Sequence, residues 1–505
     1  MSELAALVAV SNLVGATSSR KTKTAVLADY LRPLPPESIG PAVAFLSGVI
    51  PQGSLGVGWA TLSDVPPPAA VSSLGIDTVM TAFDELVATS GAGSNAARRR
   101  LTGDLFSAAT EAERQFLFGL IGGEIRQGAL EGVMVEAVAA AAEVPVAAVR
   151  RALMLNGRIW EVAEIAREHG EDGLSAVSLT LFRPLKPMLA QTAEDVAGAL
   201  ARTGPARVDW KIDGVRIQVH RSGHRVEVYT RNLNRVTDRL GDIAEVVRQF
   251  PADSFVLDGE ALWLADDGRP ARFQETAGRF GTDDLPERGL RPFFFDLLHL
   301  DGEDLIDDPL RARRTRLERL VSDCAVPGRE AHEAGETAEV LAEALGRGHE
   351  GVVVKGMDST YEAGRRGAAW VKVKPVHTLD LVVLAAEWGH GRRQGMLSNL
   401  HLGARHGEGF VMLGKTFKGL TDELLAWQTV RLQEIEDHST KGAVFVRPEL
   451  VIEVALDGVQ VSTRYPGGVA LRFARVRGYR SDKDPAEADT LDTVRAMAGL
   501  PPLEA

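Results

Sequence analysis

Val208-Asp209-Trp210-Lys211-Ile212-Asp213-Gly214-Val215-Arg216-Ile217-Gln218-Val219-His220 alternates apolar and polar residues with a period near two. Successive side chains of a strand leave opposite faces, so this pattern predicts a half-buried strand. Around it, 225–230, 254–257, 292–296 and 351–355 read as further short strands. Segments 239–250 and 311–321 between them read as helices. The spacing predicts an α+β domain over 184–375, ending near Pro375.

The period changes on both sides. Upstream, apolar residues recur at three- and four-residue spacing in 105–120, 133–142 and 159–166, the stripe of an amphipathic helix. Proline and glycine gather in short breaks such as 33–36 and 66–68, and 170–180 suits a linker. Residues 1–175 are therefore expected to be all helical. Downstream, 379–385, 401–404, 409–413 and 451–455 read as strands, interrupted by one helix at 422–435. A small β-barrel over 376–505 is the expectation.

Composition agrees with several domains. The 505 residues exceed what one hydrophobic core serves. Apolar residues at 45% and charged residues at 25% are the proportions of ordinary globular chains, which argues against global disorder or a membrane bundle. The 57 Lys and Arg against 69 Asp and Glu leave a net charge of −12. That alone speaks against a nucleic-acid partner, but 365–480 holds an excess of cations, so charge is segregated along the chain. Cys324 is the single cysteine, which rules out an internal disulfide and a Cys-rich zinc site. The first residues lack a basic leader, and no apolar run approaches the ~20 residues that span a bilayer. The expectation is a cytoplasmic protein with no membrane partner.

The chemistry concentrates in Lys211-Ile-Asp213-Gly214-Val-Arg216. By itself this reads equally as a surface turn with solvated charges. A lysine beside a turn can present its amine to a ligand, and becomes a nucleophile when desolvation or neighbouring cations lower its proton affinity. Trp370-Val-Lys372-Val-Lys374 would place two lysines on one strand face, a costly arrangement unless they meet an anion such as a nucleotide phosphate. Leu257-Asp258-Gly259-Glu260, read as a strand end, and Glu350-Gly351-Val-Val-Val-Lys355, read as a strand start, bring carboxylates suited to Mg²⁺ or a ribose hydroxyl. Phe293-Phe294-Phe295-Asp296 offers an aromatic to stack on a base, with at least one of the three in the core.

In this order, and with Thr230-Arg231-Asn232, the motifs resemble the covalent nucleotidyltransferases. Leu471-Arg472-Phe-Ala-Arg475 and Arg480-Ser-Asp482-Lys483 resemble the last motif of the ATP-dependent DNA ligases. Ala16-Thr-Ser-Ser-Arg20-Lys21, Glu124-Ile-Arg126-Gln-Gly128 and Lys186-Pro-Met-Leu-Ala190 resemble segments of the same family further upstream. The resemblance covers nearly the whole chain. It implies three domains: an all-α DNA-binding domain (1–175), an α+β, ATP-grasp-like nucleotidyltransferase domain (184–375) and a β-barrel OB-fold domain (376–505).

It also implies a reaction. Lys211 would take AMP from ATP, pass it to the 5′-phosphate at a nick, and the 3′-hydroxyl would displace it. Asp209 matches the residue that contacts the adenine amine, where most relatives carry Glu. Arg216 and Arg231 match grips on ribose and phosphate, and Glu260 the ribose-binding acid that also serves the metal. Phe295 matches the adenine stack, with Phe293 the alternative. Glu350 matches a metal-binding acid for Mg²⁺ or Mn²⁺. Arg366, Lys372 and Lys374 match phosphate contacts, and Arg472, Arg475, Arg480, Asp482 and Lys483 the closing motif. Arg20, Lys21, Lys23 and Arg126 would touch the DNA backbone, as cations do without reading bases. The resemblance implies a monomer encircling nicked duplex DNA, at the nucleoid, in repair, replication or recombination. The competing readings are an RNA ligase or capping-type enzyme, disfavoured by the long helical region, and a non-catalytic DNA-binding scaffold. An NAD-dependent ligase is disfavoured by the single cysteine.

Overall fold

A computed structural model describes residues 3–125, 131–264, 269–270 and 290–503. The chain separates into two compact units, Met1–Val373 and Lys374–Ala505.

The first unit opens with helices. Leu4, Leu7, Leu27, Phe45, Phe83, Phe106 and Met134 share one core in which each is buried. The apolar run expected at 105–120 is broken into Ser94–Ala108 and Glu111–Ile121. The cause is a capping box: Thr110 N–H and Oγ1 each lie 2.8 Å from the Glu113 carboxylate, which satisfies the first turn of the second helix and stops the first. Of the 170–180 segment expected as a linker, 170–175 instead continues the helix Ile159–Ser175, bent at Gly170, whose φ of 60° and ψ of −148° suit glycine, and 177–180 has no regular structure.

Two five-stranded sheets follow. Their strands are β1 (Gln191–Thr192), β2 (Ala206–Lys211), β3 (Val215–Ser222), β4 (Arg225–Thr230), β5 (Ser254–Leu262), β6 (Arg291–Leu300), β7 (Glu303–Asp304), β8 (Gly328–Ala331), β9 (Gly351–Gly356) and β10 (Trp370–Val373). One sheet has the order β1-β10-β9-β2-β8, the other β4-β3-β5-β6-β7. The stretch expected as one alternating strand is thus two strands, β2 and β3, one in each sheet. Asp213-Gly214 makes the corner between them. A Cβ on Gly214 would lie 2.4 Å from the Ala261 carbonyl oxygen, so the close approach of β3 to β5 excludes any side chain there. The Leu257–Glu260 motif is likewise interior to β5 rather than at its end. Glu350 immediately precedes β9, as expected.

In the second unit the strands are β11 (His377–Trp388), β12 (Leu397–His406), β13 (Gly409–Thr416), β14 (Glu436–Ser439), β15 (Ala443–Val446), β16 (Val451–Leu456), β17 (Gly458–Val461), β18 (Val469–Arg472) and β19 (Arg475–Tyr479). Seven of them form one sheet, β13-β12-β11-β15-β14 with β16 joining β11 to β19, while β17 pairs β18. The helix Asp422–Glu434 contributes Leu425 and Leu432 to the core. The strand β11 bends at bulges near Val383 and Glu387, which curves the sheet into a half-barrel.

Candidate active site

The motifs converge because the corner at Asp213-Gly214 links the two sheets of the first unit. A cleft of about 800 Å³, partly continuous with solvent, opens there. Lys211 comes from β2, Arg216 from β3, Glu260 from β5, Phe295 from β6, Lys355 from β9, and Trp370 and Lys372 from β10. Asp209, Arg231 and Arg366 also line it. A partly apolar cleft with a few convergent polar groups is the usual form of a small-molecule site.

Lys211 is mostly buried, and its amine pairs with the Glu350 carboxylate. The backbone holds this pair together, since Glu350 N–H donates to the Lys211 carbonyl at 3.1 Å. The amine expected beside gathered cations is thus paired with a carboxylate. Glu260 accepts from Gly214 N–H at 3.1 Å. Burial pushes its carboxyl up to about 7, against the pull of Lys211 and Arg216.

Two further acids organise the walls. Asp258 is wholly buried and grips Arg216 twice, at 2.7 Å to Nε and 2.6 Å to Nη2. Tyr361 donates to the same carboxylate at 2.6 Å and accepts from Met188 N–H at 3.0 Å. Arg216 is thereby laid 4.6 Å above the Phe295 ring. Asp209 lies 2.8 Å from Lys355 Nζ, 3.0 Å from Arg207 Nε and 3.5 Å from Arg314 Nη1. Burial alone would raise its carboxyl, but these three cations hold it down at about 2. Lys355 Nζ in turn sits 4.4 Å from both the Phe295 and Trp370 rings.

The structure sorts the expected residues. Phe295 lines the cleft, Phe293 does not line it, and Phe294 is buried in the core of the second sheet. Asp209 lines the cleft with its oxygens already turned to three cations. The strand β10 ends at Val373, so Lys372 lines the cleft while Lys374 belongs to the second unit, where it pairs with Asp457. The expectation of two lysines on one strand face fails at that point. Arg472, Arg475, Arg480, Asp482 and Lys483 also lie in the second unit. Tyr361 stands outside the motifs read from the sequence, while Asp258 and Lys355 stand in them without an assigned role. For Asp258 a signal existed: it and Glu260 stand at i and i+2 on one strand, and β3 brings Arg216 opposite Glu260.

In the helical region, Arg20 and Lys21 line an exposed groove with Thr24, Asp29, Arg32 and Glu136. Arg20 pairs with Glu136 at 2.7 Å. Lys23 is only 8% exposed, on the inner side of its helix, so the expectation of an exposed phosphate contact does not extend to it. Arg126 lies outside the described residues. Among the described residues, no helix is long and apolar enough to cross a membrane.

Comparison with known proteins gives three family matches. Residues 60–139 match the DNA ligase N terminus, 187–374 the ATP dependent DNA ligase domain, and 393–483 the ATP dependent DNA ligase C terminal region. A probable DNA ligase of Saccharopolyspora erythraea is 54% identical over 499 residues, covering 98% of each chain. One of Nocardioides sp. is 54% identical over 506 residues, covering 98% of this chain and 99% of its own. The solved structure Pmar-Lig_PreS3 shares the fold, at a TM-score of 0.58 and 18% identity over 94% of this chain and 99% of that one.

Proposed function

This chain belongs to the ATP-dependent DNA ligases, enzymes that seal nicks in DNA at the expense of ATP, and on that premise we propose that Lys211 is its nucleophile and the cleft its nucleotide site. The observation that carries the assignment is the convergence of Lys211, Arg216, Glu260, Phe295, Arg366 and Lys372 on one cleft.

The reaction follows from those groups. The ammonium of Lys211 sheds its proton to solvent at the open side of the cleft, which leaves the Glu350 carboxylate ionised. The free amine bonds to the α-phosphorus of ATP as the bond to the β-phosphate oxygen breaks, releasing pyrophosphate. A 5′-phosphate oxygen at the nick then bonds to the same phosphorus, and the lysine leaves and is reprotonated. Finally the 3′-hydroxyl oxygen bonds to the 5′-phosphorus, AMP departs, and the hydroxyl proton is released. Each step is a displacement at phosphorus, so positioning and charge neutralisation supply the catalysis.

Individual roles complete the reading. Phe295 stacks on adenine, Glu260 accepts from the ribose, and Arg216, Arg231, Arg366 and Lys372 meet ribose and phosphates. Asp209 acts through Lys355, which it orients beneath Phe295 and Trp370. Arg472, Arg475, Arg480 and Lys483, with Lys374, serve the β- and γ-phosphates, and Asp482 holds Arg480. The carboxylates of Glu260 and Glu350 fit Mg²⁺ or Mn²⁺, because such ions take one or two carboxylates and share the substrate's phosphates. The metal would supply neutralising charge at the phosphates. Arg20 and Lys21 would meet the DNA backbone. On this reading the helical region, the paired sheets and the second unit are a DNA-binding domain, a nucleotidyltransferase domain and an OB-fold domain of a cytoplasmic monomer.

The test is incubation of the protein with Mg²⁺ and α-labelled ATP, with GTP and NAD⁺ in parallel, then addition of nicked DNA. Label that attaches from ATP, is discharged by nicked DNA and disappears in Lys211→Ala supports the assignment. Persistent labelling of Lys211→Ala places the nucleophile elsewhere.

A further inference from the structure

Asp380 sits near the start of β11, and both ends of its peptide are tied down. Its N–H donates to the Asp489 carboxylate at 2.8 Å, and its carbonyl accepts from Asp489 N–H at 2.8 Å. Its side chain is mostly buried. Across the sheet it stands directly opposite Glu453 on β16. Like charges in that register repel and destabilise a sheet unless cations cover them.

The cations come from the last motif. Arg480 extends β19 through its N–H to the Val451 carbonyl, and places Nη1 3.2 Å from both oxygens of Asp380 and 3.6 Å from Glu453. Lys483 reaches the same Asp380 oxygen, Oδ2. One carboxylate thus gathers two cations that would otherwise repel each other. Asp482 adds a second hold on Arg480, at 2.8 Å. The geometry separates a fixed base from movable parts. Asp380 is pinned in the sheet, while Arg480 and Lys483 remain 28% and 30% exposed on long side chains. Guanidinium and ammonium groups arranged around a carboxylate are also arranged for a phosphoryl group, which presents similar acceptor oxygens.

We propose that Asp380 is a positioning residue for the attachment of AMP to the enzyme, its pinned carboxylate gathering Arg480 and Lys483 into a two-cation cradle for the pyrophosphate leaving group. The proposal rests on the reading above, in which those two cations serve the β- and γ-phosphates. Asp380 touches neither nucleotide nor DNA and acts only through its two partners.

The experiment uses the full chain with Asp380→Asn. It compares single-turnover AMP attachment across ATP concentrations with sealing of a synthetic pre-adenylated nick. AMP attachment should fall by about tenfold or more with a raised KM for ATP, while sealing of the pre-adenylated nick stays within about twofold. Asp380→Glu should recover part of the loss. In a Lys483→Met background, Asp380→Asn should add less than about twofold, because both changes disable one cradle. Unchanged or faster AMP attachment overturns the proposal. So do equal losses in both steps with a lowered melting temperature, which would make Asp380 a brace of the fold. Should Asp380→Asn fail to fold, Asp489→Asn, which loosens the Asp380 backbone, must give the same split between steps, and parallel losses overturn the proposal. Arg480→Ala and Lys483→Met are run beside these. If both attach AMP at the normal rate, the underlying reading of the last motif fails. If both are slow while Asp380→Asn is normal, only the role of Asp380 fails.

Discussion

In the cleft of the first unit, Asp209 and Asp258 are 2% exposed or less; Asp209 holds cations from its own strand, a neighbouring strand and the helix Leu310–Val321, and Asp258 holds Arg216 from β3. In the second unit, Asp380 holds Arg480 and Lys483 whose side chains stay about a third exposed. Both regions set carboxylates against arginine and lysine, yet their physics differs. A buried pair whose partner is removed leaves an uncompensated charge, so it locks its members in place. A partly solvated pair is worth little, so its cations can exchange one anion for another. The cleft is built to keep a shape, and the cation row to change partners.

Four measurements sharpen or break that contrast. Lys211→Ala should abolish AMP attachment, by at least on the order of 10³-fold, while nicked-DNA binding by gel shift stays near normal. A parallel loss of DNA binding would mean the change disturbs more than the nucleophile.

Asp258→Ala should cost about 3 to 5 kcal/mol of stability, because Arg216 would stay buried without its partner. Urea unfolding reads this directly. A loss below about 1 kcal/mol would make the cleft's pairs as exchangeable as the exposed ones, and the contrast would collapse.

Glu260 supplies a pH test. Burial raises its carboxyl from the ordinary 4.5 to about 7, so the folded protein binds this proton more tightly than the unfolded chain. Its contribution to stability is therefore full below about pH 4.5 and is lost as pH rises through about 7. Wild type should weaken relative to Glu260→Gln across that window, by no more than about 3 kcal/mol. Denaturation of both proteins at pH 5 and pH 8 checks it, and a difference independent of pH would show that Glu260 is already ionised at pH 5.

The smallest effect belongs to the helical groove. Arg20→Ala should change stability by less than about 1 kcal/mol, since its pair with Glu136 is exposed. It should lower the slope of log affinity for nicked DNA against log salt by about one. An unchanged slope would remove Arg20 from the DNA contact.

Legibility followed the range of the interactions. Helices at 133–142 and 159–166 and strands at 225–230, 254–257, 292–296, 351–355, 379–385, 401–404, 409–413 and 451–455 were readable because they depend on local periodicity, whereas short strands such as Gln191–Thr192, Glu303–Asp304 and Gly458–Val461 were not. The break at Thr110 was missed because the apolar stripe runs across it, although Thr110 and Glu113 carry the cap in plain view. The 208–220 stretch was read as one strand because alternation continues through a corner. Only the pairing of β2 with β9 and of β3 with β5 shows that its halves enter different sheets. Lys374 was grouped with Lys372 by spacing, a local rule that cannot see where one compact unit ends.

The sequence alone carried the length of a multidomain chain and the ordered motifs that resemble the ATP-dependent DNA ligases, and the family and its reaction followed from that resemblance. The tertiary structure decided which charges meet. It paired Lys211 with Glu350, gave Asp209 to Lys355, Arg207 and Arg314, set Asp258 and Tyr361 behind Arg216, and buried Lys23. Electrostatic energy depends on separation and burial rather than on distance along the chain, and those quantities exist only once the strands have paired.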